Sequence, residues 1–122
     1  MSDTETGGFM AKVIGPKKRW RAYRARIGEL PAGHRAAAEA VERYLMHFVP
    51  VDADSNASMF EDLADLFEQA AADGIPVGAV VGEDPVEFAE AFARNYTEGG
   101  YVPGRARKRL AGDIADAGGK GR

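Results

Sequence analysis

Cysteine is absent from this chain, which removes disulfides, thiolate zinc sites and thiol nucleophiles together and fits a reducing compartment. Histidine occurs only at positions 34 and 47. A zinc or non-haem iron site takes three or four protein ligands in defined geometry, and no H-E-x-x-H or H-x-x-E-H spacing exists, so no metal is expected. His34 and His47 read as surface groups near a helix start and a helix end. Serine appears only at 2, 55 and 58, never in a nucleophile elbow. Gly78 and Gly82 do not complete G-x-G-x-x-G, and no glycine run ends in Gly-Lys-Ser or Gly-Lys-Thr. No catalytic residue and no cofactor is therefore expected, and the reading is non-enzymatic. No apolar stretch approaches the roughly 20 residues that cross a bilayer. The start, Met1 to Thr6, is acidic and polar, unlike a secretory signal. The expectation is a cytoplasmic protein with no membrane partner.

What is present is charge, and it is zoned. The net charge of −3 over 122 residues conceals three blocks. Residues 12 to 26 hold seven basic side chains, Lys12, Lys17, Lys18, Arg19, Arg21, Arg24 and Arg26, and no acid. Residues 35 to 98 hold fourteen acids against Arg35, Arg43 and Arg94. Basic character returns with Arg105, Arg107, Lys108, Arg109, Lys120 and Arg122 against Asp113 and Asp116. Local fields of this kind steer partners more than the total does.

The apolar residues recur at helical spacing, and no alternating strand pattern persists. Residues 1–8, ending in Gly7-Gly8, read as a disordered tail, 9–117 as one all-α domain and 118–122 as a flexible tail. Pro16 suits a first helical turn, giving a helix to Glu29 with Trp20, Tyr23, Ile27 and Leu30 on one face. Leu30-Pro31-Ala32-Gly33 breaks it. A second helix follows from His34 to Phe48, with Ala37, Val41, Tyr44, Leu45 and Phe48 inward. Ser58 and Glu61 form a capping-box signature for a third, which begins there or slightly earlier. Its apolar side is Met59, Leu63, Leu66, Phe67 and Ala70. Gly74 fits its C′ position, with Pro76 beyond.

Val77 to Val81 suits a short helix. Asp84-Pro85-Val86-Glu87 combines an aspartate cap, a first-position proline and a first-turn acid, with Val86, Ala89, Phe92, Ala93 and Tyr96 inward. After Gly99-Gly100, a last basic helix spans Arg105 to Ala117 on Leu110 and Ile114. The fold class is all-α, a compact bundle or superhelix of about five to six short helices in one domain. A chain of this size buries roughly two-thirds of its unfolded surface.

Two further patterns were weighed on their chemistry. Asp52-Ala53-Asp54-Ser55-Asn56 copies positions 1, 3 and 5 of a calcium loop, but Ala57 replaces the turn glycine and Leu63 the bidentate glutamate, leaving capping and turn formation. Lys17, Arg21 and Arg24 lie three or four residues apart and form a stripe able to meet phosphate or carboxylate. The same helix could instead pair with the acidic central helices or stay solvated.

Several motifs occur in one order: Lys18-Arg19-Trp20-Arg21-Ala22-Tyr23 with Leu30-Pro31 to Arg35, then Leu63 to Gly74, then Gly82-Glu83-Asp84, Val86 and Phe88, and finally Arg107-Lys108-Arg109-Leu110 to Ile114. Over roughly residues 12 to 117 this resembles a bacterial family, domain of unknown function 1048, small all-α proteins often encoded beside PadR-type transcriptional regulators. The chain departs from the pattern in the polar Val49 to Asn56 loop and at Gly99 to Gly104. No catalytic residues are assigned to that family, so the resemblance carries none over. The resemblance implies an accessory role beside a transcription factor.

The expected function is a helical interaction module that modulates a PadR-type regulator. Lys17, Lys18, Arg21 and Arg24, with Arg107 and Arg109, would meet an acidic protein partner or DNA near it. The acidic helix from Glu61 to Asp73 would offer the opposite face. The alternatives are direct nucleic-acid binding by the basic helices, and a ligand-sensing bundle with Trp20, Tyr44, Phe67 and Phe92 around an apolar pocket.

Overall fold

The computed structural model describes residues 3–48, 50–97 and 104–120. Six helices occur among them: α1 (Asp3–Gly28), α2 (Ala32–Leu45), α3 (Ala53–Ala72), α4 (Val77–Val81), α5 (Pro85–Ala93) and α6 (Gly104–Lys120). The only extended pairing among the described residues is a single antiparallel bridge between Pro50 and Thr97. The all-α, single-domain expectation holds.

Local chemistry accounts for most boundaries. Asp84 accepts the Glu87 amide at 3.0 Å, with Pro85 opening α5. Gly74 takes a φ of 72° after α3, a conformation that costs any other L-residue about 1–2 kcal/mol. The start of α3 differs from the capping-box reading. Asp52 is the cap, accepting the Ser55 amide at 2.7 Å, so the helix begins five residues before Ser58. An aspartate already in extended backbone satisfies the first free amides, and the later serine is left inside the helix.

The ends also differ. α1 already includes Asp3, so Pro16 lies inside it and residues 3–8 of the expected tail are helical. α6 likewise continues through Gly118 and Gly119 to Lys120. Once a helix is nucleated and anchored, each further residue adds a backbone bond for one residue fixed, whereas Pro16, with no N–H to give, forgoes one such bond inside α1 at a cost of about 3 kcal/mol. Residues 1, 2, 121 and 122 of the expected tails, Val49, and the Gly99-Gly100 break with Pro103 lie outside the described residues.

α2 lies at the centre and packs against each of the other five helices, most extensively against α6. Ala37, Ala38, Ala40, Val41, Tyr44 and Leu45 are all buried on it. α1 packs chiefly on α3, and α4 and α5 pack on α6 and α2. The core is continuous from Tyr23 and Ile27 through Leu63 and Phe67 to Leu110 and Ile114. Phe60, outside the expected apolar side of α3, is buried, whereas Leu66 is only half-buried. Because α3 faces both α1 and α2, its buried sector is wider and displaced from the simple stripe.

Phe67 is fully buried, so Phe67→Ala should cost about 3–5 kcal/mol in denaturant unfolding, through lost transfer energy and a residual cavity. Gly74→Ala should cost about 1–2 kcal/mol by the left-handed backbone alone.

Candidate functional site

The cationic segment of α1 sorts its charges by direction. Towards α3 point Arg19 and Arg26, seven residues apart. Arg19 donates from Nε and Nη2 to both oxygens of Glu61 at 2.9 and 2.7 Å, and from Nη1 to Asp54 at 2.7 Å. Arg26 donates from Nε and Nη2 to both oxygens of Glu68 at 2.9 and 2.7 Å, and also to Asp65. Glu61 and Glu68 are again seven apart, so α1 and α3 run parallel in a register set by two arginine forks. Bidentate pairs of this kind are directional and stronger than single contacts. The hydrogen bonds from Arg19 and Arg26 hold the Glu61 and Glu68 carboxyls below their usual range and push both guanidinium pKa values up.

Towards α2 points Arg24. Its Nη1 lies 2.9 Å from each oxygen of Glu42, and the Tyr23 hydroxyl donates to Glu42 at 2.9 Å. Glu42 is only 6 % exposed, and a buried charge of this kind needs its partners, since removing one costs about 3–5 kcal/mol. Burial first, and the Glu42 charge second, raise the Tyr23 hydroxyl pKa. Arg24, expected to meet a partner, is therefore committed to Glu42 through one of its two terminal nitrogens.

Away from the protein point Lys17, Lys18 and Arg21, all exposed and without an intramolecular carboxylate among the described residues. The other two expected contact residues lie on α6. Arg107 pairs with Glu90 at 3.2 Å, and Glu90 also accepts the Tyr44 hydroxyl at 2.6 Å. Arg109 sits 3.5 Å from Asp113, which Arg43 reaches at 2.9 Å. The structure divides the six residues into two groups, on α1 packed against α3 and α2, and on α6 packed against α2, α4 and α5.

The acidic face of α3 is not a free counterpart. Glu61, Asp65 and Glu68 hold α1, Asp62 accepts the Tyr96 hydroxyl at 2.5 Å, and Asp73 bonds Gln69 at 3.0 Å. Pairing inside the chain, one of the readings the charge pattern allowed, is what this face does. Burial and the bond to Glu90 lift the Tyr44 pKa to about 12, and the bond to Asp62 with partial burial lifts Tyr96 to about 12.

Trp20, Tyr44, Phe67 and Phe92 do not surround one pocket. Trp20 meets Tyr23 and Phe60 at ring centroid distances of 5.2 and 5.4 Å. Tyr44 adjoins Phe48, and Phe92 lies between Phe88 and Tyr96. Trp20 instead borders a cleft of about 80 Å³ between α1 and the first turns of α3, together with Arg19, Tyr23, Ala53, Asn56, Ala57 and Phe60. A second cleft of about 60 Å³ lies between α2 and α6 beside Arg43, His47 and Arg109.

The histidines are far from equivalent. His47 is exposed, with Nδ1 3.1 Å from the Tyr44 carbonyl at the end of α2. His34 is buried rather than superficial. Its Nε2 lies 2.7 Å from the Ile75 carbonyl, tying the start of α2 to the α3–α4 turn, and its Nδ1 has no partner. Among the described residues no three or more His, Asp or Glu side chains converge as metal ligands, and no helix there is long and apolar enough to cross a membrane. The calcium-like residues have other work, with Asp52 capping α3 and Asp54 pairing with Arg19.

Residues 11–114 match a family described as Protein of unknown function (DUF1048). The chain belongs to the DUF1048 family. The matched span runs from α1 to α6 and includes both arginine forks, Glu42 and the Trp20 cleft. No curated protein and no solved structure matches the chain. Reasoning from sequence missed Arg19, Arg26, Glu42, Asn56 and Phe60. The matching seven-residue spacings, Arg19 to Arg26 and Glu61 to Glu68, were the available signal for the first two.

The forks give acid sensitivity a sign. Glu61 and Glu68 titrate below the ordinary 4.5 in the folded chain, so their contribution is present above about 4.5 and is lost as pH falls through the lower folded values. Urea midpoints measured across this range should fall less steeply for Arg19→Ala/Arg26→Ala than for the parent. Tyr44 and Tyr96 act oppositely, contributing below pH 10.0 and losing that contribution as pH rises towards about 12. Tyrosinate absorbance should show both titrating late.

Proposed function

We propose that this DUF1048 protein is a non-enzymatic interaction module that acts by protein–protein contact, with a PadR-type transcriptional regulator as partner. One observation carries the reading: Lys17, Lys18 and Arg21 form an exposed cationic stripe on α1 without intramolecular partners among the described residues, while Arg19, Arg24 and Arg26 beside them are all paired. Cations that brace the fold and cations that are left over share one helix, and the leftover ones steer an acidic surface towards it. The regulator as partner rests on the resemblance to proteins encoded beside such factors. Arg107 and Arg109 extend the contact from α6 at most as a second, separate patch.

The test is isothermal titration of the protein into the regulator encoded beside it. Lys17→Glu/Arg21→Glu should weaken binding by at least about tenfold, or about 1.4 kcal/mol, with unchanged melting temperature, because neither side chain braces the fold. Arg24→Glu is unsuitable, since it strands Glu42 in the interior. Equal affinity for Lys17→Glu/Arg21→Glu and the parent would remove the stripe from the contact, and no saturable heat at several temperatures would remove the partner.

A further inference from the structure

We propose that the cleft between α1 and the start of α3 is a binding site for a small uncharged aromatic molecule carrying one hydrogen-bonding substituent. The cleft is walled by the Trp20, Tyr23 and Phe60 rings and by the methyl groups of Ala53 and Ala57. The three rings also contact one another, at centroid distances of 5.2, 5.4 and 5.6 Å, so the floor is fixed by packing. The rim is fixed as well. Arg19 is held by Glu61, Asp54 and Ser58, and Asp52 caps the first turn of α3.

Two residues on this lining carry a side-chain polar group that is unpartnered among the described residues. The indole N–H of Trp20 and the side-chain amide of Asn56 have no hydrogen-bond partner among the described residues. A mostly apolar wall with a few unspent polar groups is the usual constitution of a small-molecule site. Charge selects the ligand further. The one cation on the lining, Arg19, is already matched by two carboxylates, Asp54 and Glu61, so an anion finds no countercharge, and the surplus acid, Asp54, is 83 % exposed, where water and salt screen what a cation would gain. Size decides the pose. The cleft measures about 80 Å³, whereas a cavity that encloses benzene entirely is about 150 Å³. A single ring therefore enters only part-way, with Asn56 on the lining to meet its substituent.

Trp20 is the only tryptophan and lies on the cleft, so its emission reads occupancy directly. Benzyl alcohol is the probe, with benzoate and benzylamine as charged controls of the same shape. Benzyl alcohol should give a saturable change in Trp20 emission. Benzoate should bind at least about tenfold more weakly and benzylamine no more tightly than benzyl alcohol, and Asn56→Ala should raise the benzyl alcohol Kd about fivefold, the loss of one hydrogen bond. Ala57→Phe, which fills the cleft, should abolish the response. Ala53→Leu, at an exposed helical position, serves the same purpose should the larger ring unfold the chain. A linear, non-saturating response overturns the proposal, and so does an undiminished response in both filled variants. Neither result touches the regulator contact, which is read by calorimetry without the probe.

Discussion

A helix that touches five neighbours has little surface left for water, and the rest of this fold is arranged around that constraint on α2. Large side chains on every side would hold the surrounding helices apart, so α2 uses alanine at 37, 38 and 40 and reserves bulk for Val41, Tyr44 and Leu45. Close-packed interiors tolerate neither voids nor excess volume, and buried alanines let the surrounding helices come near. The central position also explains Glu42. A carboxylate facing α1 from a surrounded helix cannot reach bulk water, and Tyr23 with Arg24 supply the hydrogen bonds that water would have made. Tyr44, two residues nearer the end of α2, repeats the idea with Glu90 and Arg107.

Ion pairs have two different standings here. Those of Arg19 and Arg26 are half-exposed forks, in which each pair contributes about 0.2–1 kcal/mol and salt screens them. They contribute alignment more than stability. The Glu42 cluster is of the other kind, weak as a net source of stability yet costly to break. Lys17, Lys18 and Arg21 belong to neither class. Among the described residues no carboxylate compensates their positive charge, in a protein of net charge −3.

The helices themselves were legible in the sequence because their signals are local. Asp84-Pro85 and Gly74 each do alone what their chemistry predicts, and the motifs from Trp20 to Ile114 pointed to the family. What failed depends on neighbours. The burial of Phe60 and the half-exposure of Leu66 follow from α3 having two packing partners, which no single-helix periodicity contains. His34 is buried because the α3–α4 turn returns to cover it. The acidic face of α3 read as available for docking because charge along a chain says nothing of what lies across from it. Asp52 won over Ser58 as the cap of α3 because it lies earlier, in extended backbone.

The parallel register of α1 on α3 has a mechanical meaning. Sliding α1 by one helical turn, about 5.4 Å, would bring neither arginine opposite its own fork and would pull Tyr23 from Glu42 in the same movement. Such a slide could keep only the outlying contacts, Arg26 with Asp65 and Arg19 with Asp54 or Ser58, and not the forks themselves. The full set of contacts is thus made in one register only, and the forks, with Phe60 and Leu63 behind them, link the helix that carries the outer stripe to α3 and the core.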